Sequence, residues 1–266
     1  MLSVSNLHKT FNPGTVNEKI ALNGVDLELK DGDFVTVIGS NGAGKSTLLN
    51  AIAGVWPVDE GSIEIDGDNI TGLPDFKRAK YIGRVFQDPM MGTAADMWIE
   101  ENLALATRRG QSRTLKTGIT NKEREEYKEL LKEFDLGLES RLTTKVGLLS
   151  GGQRQALTLL MATLIKPKVL LLDEHTAALD PKTAKKVLEV TEQIVNKYNL
   201  TTFMVTHNMR DAIAYGNRLI MMNEGEIVLD ISGDEKKNLT VSDLMKKFEV
   251  ATGTEIVNDD ALLNSK

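Results

Sequence analysis

The chain contains no cysteine, which removes disulfides and all thiolate chemistry and fits a reducing compartment such as the cytosol. It also lacks long apolar runs. Stretches such as Val169–Leu172 fall far below the ~20 residues needed to span a bilayer. The N-terminus, MLSVSNLHKTF, has no basic segment followed by an apolar stretch, so no signal peptide is expected. Any membrane role must come through a partner. An excess of positive charge is missing too: the net charge is −6, which disfavours wholesale nucleic-acid binding through a basic surface. Internal repeats and low-complexity tracts are absent. What remains is an ordinary soluble composition, 41% hydrophobic and 26% charged over 266 residues, enough for one elaborated domain or two intimate lobes.

Along the chain, Leu2 to Leu7 and Ile20 to Leu29 predict an antiparallel strand pair joined by the loop Asn12 to Glu18. Phe34 to Ile38 predicts a strand, Ser46 to Ala53 a helix, and Gly61 to Gly67 and Tyr81 to Phe86 two further strands. From about Asp88 the pattern turns helical, over Ile99 to Thr107, Lys122 to Phe134 and Gly151 to Leu164. After Pro167 strands return at Val169 to Asp173, Thr202 to Thr206 and Arg218 to Met222, with a helix over Thr183 to Tyr198. That alternation predicts an α/β fold with a largely parallel, buried sheet. The expected organisation is one domain over 1–248: a core of about 1–87 and 166–235, carrying an N-terminal antiparallel β subdomain, and an inserted helical subdomain of about 88–165. Gly110 to Thr120 reads as a solvated basic loop, and 249–266 as a flexible tail without periodicity.

The most specific motif is Gly39-Ser40-Asn41-Gly42-Ala43-Gly44-Lys45-Ser46-Thr47, which matches G-x-x-x-x-G-K-[ST] between a predicted strand and a predicted helix. Glycines let backbone N–H groups crowd around phosphate oxygens, and the helix N-terminus favours the anion. Lys45 can bridge the outer phosphates and the Ser46 hydroxyl can ligate Mg2+. Val169 to Asp173 followed by Glu174 is an apolar strand ending in two carboxylates. Ligands gather at the carboxyl ends of parallel strands, so both acids should face the phosphate loop. Asp173 is suited to the Mg2+ shell and Glu174 to general-base work on a water. Leu149-Ser150-Gly151-Gly152-Gln153 opens a predicted helix. It is either a plain N-cap or a second anion site at a helix N-terminus.

Together these motifs, in this order over roughly Leu2 to Phe248, resemble the ATP-binding subunit of an ABC transporter, of bacterial importer type. Gly39 to Thr47 resembles Walker A, Val169 to Glu174 resembles Walker B with its catalytic glutamate, and Leu149 to Gln153 resembles the signature. The resemblance implies a P-loop NTPase core that binds and hydrolyses ATP with Mg2+. It places Gln87 as the Q-loop contact to Mg2+ and the membrane subunit, Asp180 in the D-loop Ala178-Leu-Asp180, and His207 as the switch that senses the γ-phosphate. Phe11 stands where an aromatic ring meets adenine; an aromatic after a first strand is as often core. Implied partners are a second copy in a head-to-tail dimer with two sandwiched ATPs and integral membrane permease subunits. An extracytoplasmic substrate-binding protein is implied indirectly, and no nucleic acid. The implied location is the cytoplasmic face of the cell membrane, and the implied cargo a small solute such as an amino acid.

The chain reads DEHTAALD where the family more often has DEPTSALD. His175 replaces proline and restores an N–H beside Glu174, leaving a structural role or a tuning role open. Met90, Met91, Met97 and Trp98 form a soft apolar segment after Gln87, either core or an adaptable groove for the membrane subunit. The alternative function is a non-transport ABC ATPase acting on ribosomes or nucleic acid. The single cassette, the short interval between Walker A and signature, and the acidic balance speak against it. A GTPase would need N-K-x-D, and Asn121-Lys-Glu-Arg124 lacks the aspartate.

Overall fold

The structure is a computed structural model that describes residues 1–111, 118–132 and 137–253. In chain order its elements are β1 (Leu2–Phe11), β2 (Lys19–Leu29), β3 (Phe34–Gly39), α1 (Lys45–Ala53), β4 (Glu60–Ile65), β5 (Asp68–Asn69), α2 (Asp75–Arg78) and β6 (Ile82–Val85). Then follow α3 (Ile99–Thr107), α4 (Asn121–Lys132), α5 (Gly151–Thr163), β7 (Val169–Asp173) and α6 (Pro181–Tyr198). The last are β8 (Thr201–Val205), α7 (Met209–Ala214), β9 (Arg218–Asn223), β10 (Glu226–Ser232), α8 (Gly233–Lys237) and α9 (Val241–Thr252).

Two sheets form. The first is 4-stranded and antiparallel, in the order β2-β1-β4-β5. The second is 6-stranded, in the order β10-β9-β3-β8-β7-β6, parallel throughout except for the antiparallel edge strand β10. Its strands are apolar at consecutive positions because both faces are covered. In β7, Val169 and Leu171 join a core with the antiparallel sheet and α1, while Leu170 and Leu172 join a core with α3, α4, α5 and α6. Phe203 and Met204 of β8 divide in the same way. Each such side chain, at most 1% exposed, contributes about 2 kcal/mol by its burial.

Local chemistry sets the helix ends that matter for the site. Ser150 caps α5 by accepting from the Gln153 N–H, and the Gln153 amide reaches back to the Ser150 N–H, both at 3.3 Å. Asp180 caps α6 through Thr183 N–H at 3.1 Å, with Pro181 in the first turn.

Strand–helix alternation and the helical insertion stand as expected, as does the antiparallel subdomain. The C-terminal part is richer than the sequence pattern suggests. β10, α8 and α9 follow β9, and Leu244 and Phe248 of α9 pack with Ile38, Met209 and Met221 in a third core. α9 runs to Thr252, so 249–252, expected in the tail, are helical. Residues 254–266, most of the 110–120 loop, and Phe134 lie outside the described residues.

Candidate functional site

Three neighbouring parallel strands deliver the predicted chemistry to one end of the large sheet. β3 lies beside β8, and β8 beside β7. After β3 the chain enters the phosphate loop, with Gly39 at φ 151° and Gly44 at φ 102°. A Cβ on Gly39 would sit 2.2 Å from the Met222 carbonyl, and one on Gly44 2.6 Å from the Ala21 carbonyl. Glycine is therefore demanded by close backbone approach as well as by phosphate. Gly44 caps α1 without a side-chain hydrogen bond, leaving the first amides of that helix available to an anion. The Lys45 ammonium donates to the carbonyls of Gly39 (2.7 Å) and Ser40 (2.9 Å). Burial lowers its pKa, and Glu174 opposes the shift. Ser40, Asn41, Gly42 and Ser46 are at least partly accessible. The side chains of Ala43 and Thr47 are buried, so these two positions can offer a ligand only backbone amides.

β7 ends at Asp173, in register with Val205 of β8. Glu174 then turns out of the sheet at φ 43°, held by its N–H to the Val205 carbonyl at 3.0 Å. His207 leaves β8 beside it, Nδ1 lying 3.8 Å from a Glu174 carboxylate oxygen. The pair shifts in opposite senses: facing His207, Glu174 is held below its ordinary value, and facing Glu174, His207 is raised. Lys45, Glu174 and His207 thus form one electrostatically linked group at the end of β3, β7 and β8.

Two of the three oxygen donors expected for Mg2+, Gln87 and Asp173, share a cleft of about 760 Å³ with Asn50 and Arg84. The Ser46 hydroxyl begins α1 in the accessible first turn. Hydroxyl, amide carbonyl and carboxylate are hard oxygen donors of the kind Mg2+ takes. No group of three or more His, Cys, Asp or Glu that could hold a metal exists among the described residues. Burial raises the Asp173 pKa, and the Arg84 guanidinium beside it opposes that shift.

Leu149 to Gln153 does not line this cleft. It begins α5 against the start of α6: a Cβ on Gly152 would meet Thr183 Cγ2 at 2.1 Å, and one on Gly151 would meet Leu179 Cδ2 at 3.2 Å. Asp180, exposed, is occupied as the α6 cap. Phe11 packs edge-on against Trp56, centroids 5.0 Å apart at 83°, and pairs in register with Lys19. The Lys19 ammonium in turn lies 3.0 Å from where a Gly42 Cβ would stand, which brings Phe11 to the margin of the phosphate loop.

A family model described as ABC transporter matches residues 22–177. The chain belongs to the ABC transporter family. It is 48% identical over 256 residues to the tyrosine transport ATP-binding protein of Clostridioides difficile (strain R20291), covering 94% of this chain and 100% of that one. It is 30% identical to the bacitracin export ATP-binding protein BceA of Halalkalibacterium halodurans, covering 96% and 98%. A solved dimer of the ATP-binding cassette MJ0796 with ADP and Pi superposes with a TM-score of 0.74 at 31% identity, over 87% of this chain and 98% of that one. This chain is accordingly an ABC transporter ATP-binding subunit and an ATPase.

In this ABC cassette, two buried polar side chains beside the site carry no signal in the sequence. Arg84 sits inside a strand, where an arginine reads as an exposed alternation, yet its side chain is 15% exposed and paired with Asp173. Gln155 is fully buried in α5 and donates to the Phe86 carbonyl at 3.1 Å, one residue before Gln87. Neither stands in a motif, and only three-dimensional pairing reveals them.

Proposed function

We propose that this subunit is the motor of an importer for a small amino acid-like solute of the tyrosine class, working at the cytoplasmic face of the cell membrane. The observation that carries the solute reading is the 48% identity spanning the whole of a tyrosine transport relative. The exporter relative matches at 30%, so direction rests on that difference. The motor reading rests on the convergence of Lys45, Glu174 and His207 at three adjacent strand ends.

In the proposed cycle, phosphate oxygens of ATP settle on the amides of Gly42 to Thr47, and Lys45 turns from its two carbonyls to the β- and γ-phosphates. The adenine stacks at Phe11. Ser46, Gln87 and Asp173 would hold Mg2+, whose charge would offset the negative charge of the phosphate groups. Ser150 and the amides of Gly151, Gly152 and Gln153 from a second copy close over the γ-phosphate, with Asp180 lining the join. Glu174 accepts a proton from the attacking water as its oxygen bonds to the γ-phosphorus and the bond to the ADP oxygen breaks. His207 orients Glu174 and donates towards the γ-phosphate. Glu174 stays ionised because its pKa is held low beside His207.

Membrane subunits are proposed to dock over the cleft beside Gln87. Two large apolar side chains of its lining are exposed, Phe76 at 72% and Met91 at 71%. A substrate-binding protein would act on those subunits from outside. The test is co-purification from gently solubilised membranes, followed by transport of labelled tyrosine in reconstituted vesicles. A multi-span partner with ATP-driven uptake is expected. Efflux would reverse the direction, and a chain found only with ribosomes would overturn transport.

A further inference from the structure

Arg84 links elements that the motifs leave separate. One terminal nitrogen, Nη2, donates both to Asn50 Oδ1 at 2.8 Å and to Asp173 Oδ2 at 3.2 Å. Asn50 stands on α1 and its own Nδ2 donates to the Ser46 carbonyl at 2.7 Å. A continuous hydrogen-bonded path therefore runs from Ser46 through Asn50 and Arg84 to Asp173. The guanidinium also lies over the Phe86 ring, 4.5 Å from its centroid, immediately before Gln87. So α1, β7 and the exit of β6, the three elements carrying Ser46, Asp173 and Gln87, meet at one side chain.

The arrangement has an energetic cost that a surface arginine would not bear. Arg84 Nε is buried without a hydrogen-bond partner, and buried donors are seldom left so. The contact to Asp173 uses Oδ2 and leaves Oδ1 for another ligand. Hydrogen bonds of this kind orient the carboxylates that ligate metals.

We propose that Arg84, relayed through Asn50, is a positioning residue that fixes the Ser46, Gln87 and Asp173 donors relative to one another for the magnesium–nucleotide complex. The inference rests on the reading that these three residues hold that complex. Arg84 is a cation beside a cation site, and charge repulsion alone would make its removal tighten Mg2+ binding. Positioning makes its removal weaken it.

The test uses the full chain and measures binding of a fluorescent ATP analogue, in EDTA and across a Mg2+ titration, beside kcat and KM for ATP. In Arg84→Met the affinity in EDTA should stay within about twofold while the half-saturating Mg2+ rises about tenfold, the loss typical of groups supporting a metal ligand. Arg84→Lys, which keeps the charge and a nitrogen able to donate to both acceptors but loses the planar guanidinium over Phe86, should fall between. Asn50→Leu should reproduce the Mg2+ shift while keeping the guanidinium. Unchanged or lower Mg2+ demand in Arg84→Met would overturn the proposal, as would an equal loss in EDTA and in Mg2+, the mark of a merely structural role. Asp173→Asn separates the two levels. If it too leaves the Mg2+ titration unmoved, the reading of the metal site fails. If it shifts the titration and Arg84→Met does not, only the positioning role fails.

Discussion

His175 makes the stability of this cassette pH-dependent in a calculable way. It is 2% exposed, and its Nε2 lies 3.1 Å from Thr191 Oγ1. The Thr191 hydroxyl proton goes to the Val187 carbonyl at 2.8 Å, so Nε2 must carry hydrogen and donate to Thr191, which leaves Nδ1 as the bare nitrogen. Protonating Nδ1 would place a charge in the core, and burial pushes the His175 pKa down from 6.5 to about 4. The unfolded chain, with an ordinary imidazole, therefore binds more protons between those values, and stability falls as pH falls. Above pH 6.5 the effect vanishes. At pH 5 it amounts to about 2 kcal/mol, approaching about 3 kcal/mol below pH 4. The perturbation is His175→Leu, which removes the ring and leaves Thr191 bonded to Val187. Urea unfolding without nucleotide or metal, at pH 7 and pH 5, should show the wild type losing about 2 kcal/mol more than the variant between the two. Parallel losses would mean that the buried neutral ring is not what acid attacks.

Gly39→Ala should destabilise the chain by about 3 kcal/mol, since a backbone carbonyl cannot step aside from the new Cβ; chemical denaturation without nucleotide reads this apart from phosphate binding. Lys236→Met should lower Tm by about 4 °C, because the buried Lys236 ammonium donates to the Tyr215 and Gly216 carbonyls and both would lose their partner. Differential scanning calorimetry with a Lys236→Arg control checks it, and an unchanged Tm contradicts it. Ser150→Arg should spare ATP binding by the isolated chain yet reduce turnover more than about 100-fold, the scale of losing donors to the transferring group. Normal turnover in that variant would remove the second copy from the site.

The sequence made the site legible where a short motif and its flanking elements agree. Gly39 to Thr47 sits between a strand and a helix, Asp173 and Glu174 end a strand, and His207 follows one; the parallel sheet then brings them together by topology alone. Gly152 carried a second message that spacing could not reveal, its contact with Thr183. Arg84 and Gln155 stayed hidden because a buried polar side chain inside an element has no sequence signature until its partner is known. Three helices near the C-terminal half were also missed. α7 and α8 are short, below the length at which periodicity speaks, and α9 has only Leu244 and Phe248 buried, too thin a stripe to stand out.

Completion of each ATP by the signature helix of a second copy, as proposed, can be read by sedimentation velocity of Glu174→Gln with and without Mg2+ and ATP. A monomer is expected alone, and a dimer holding two ATP when nucleotide and metal are added, because binding survives and hydrolysis does not. A variant that binds ATP stoichiometrically and sediments as a monomer at every nucleotide concentration would contradict it.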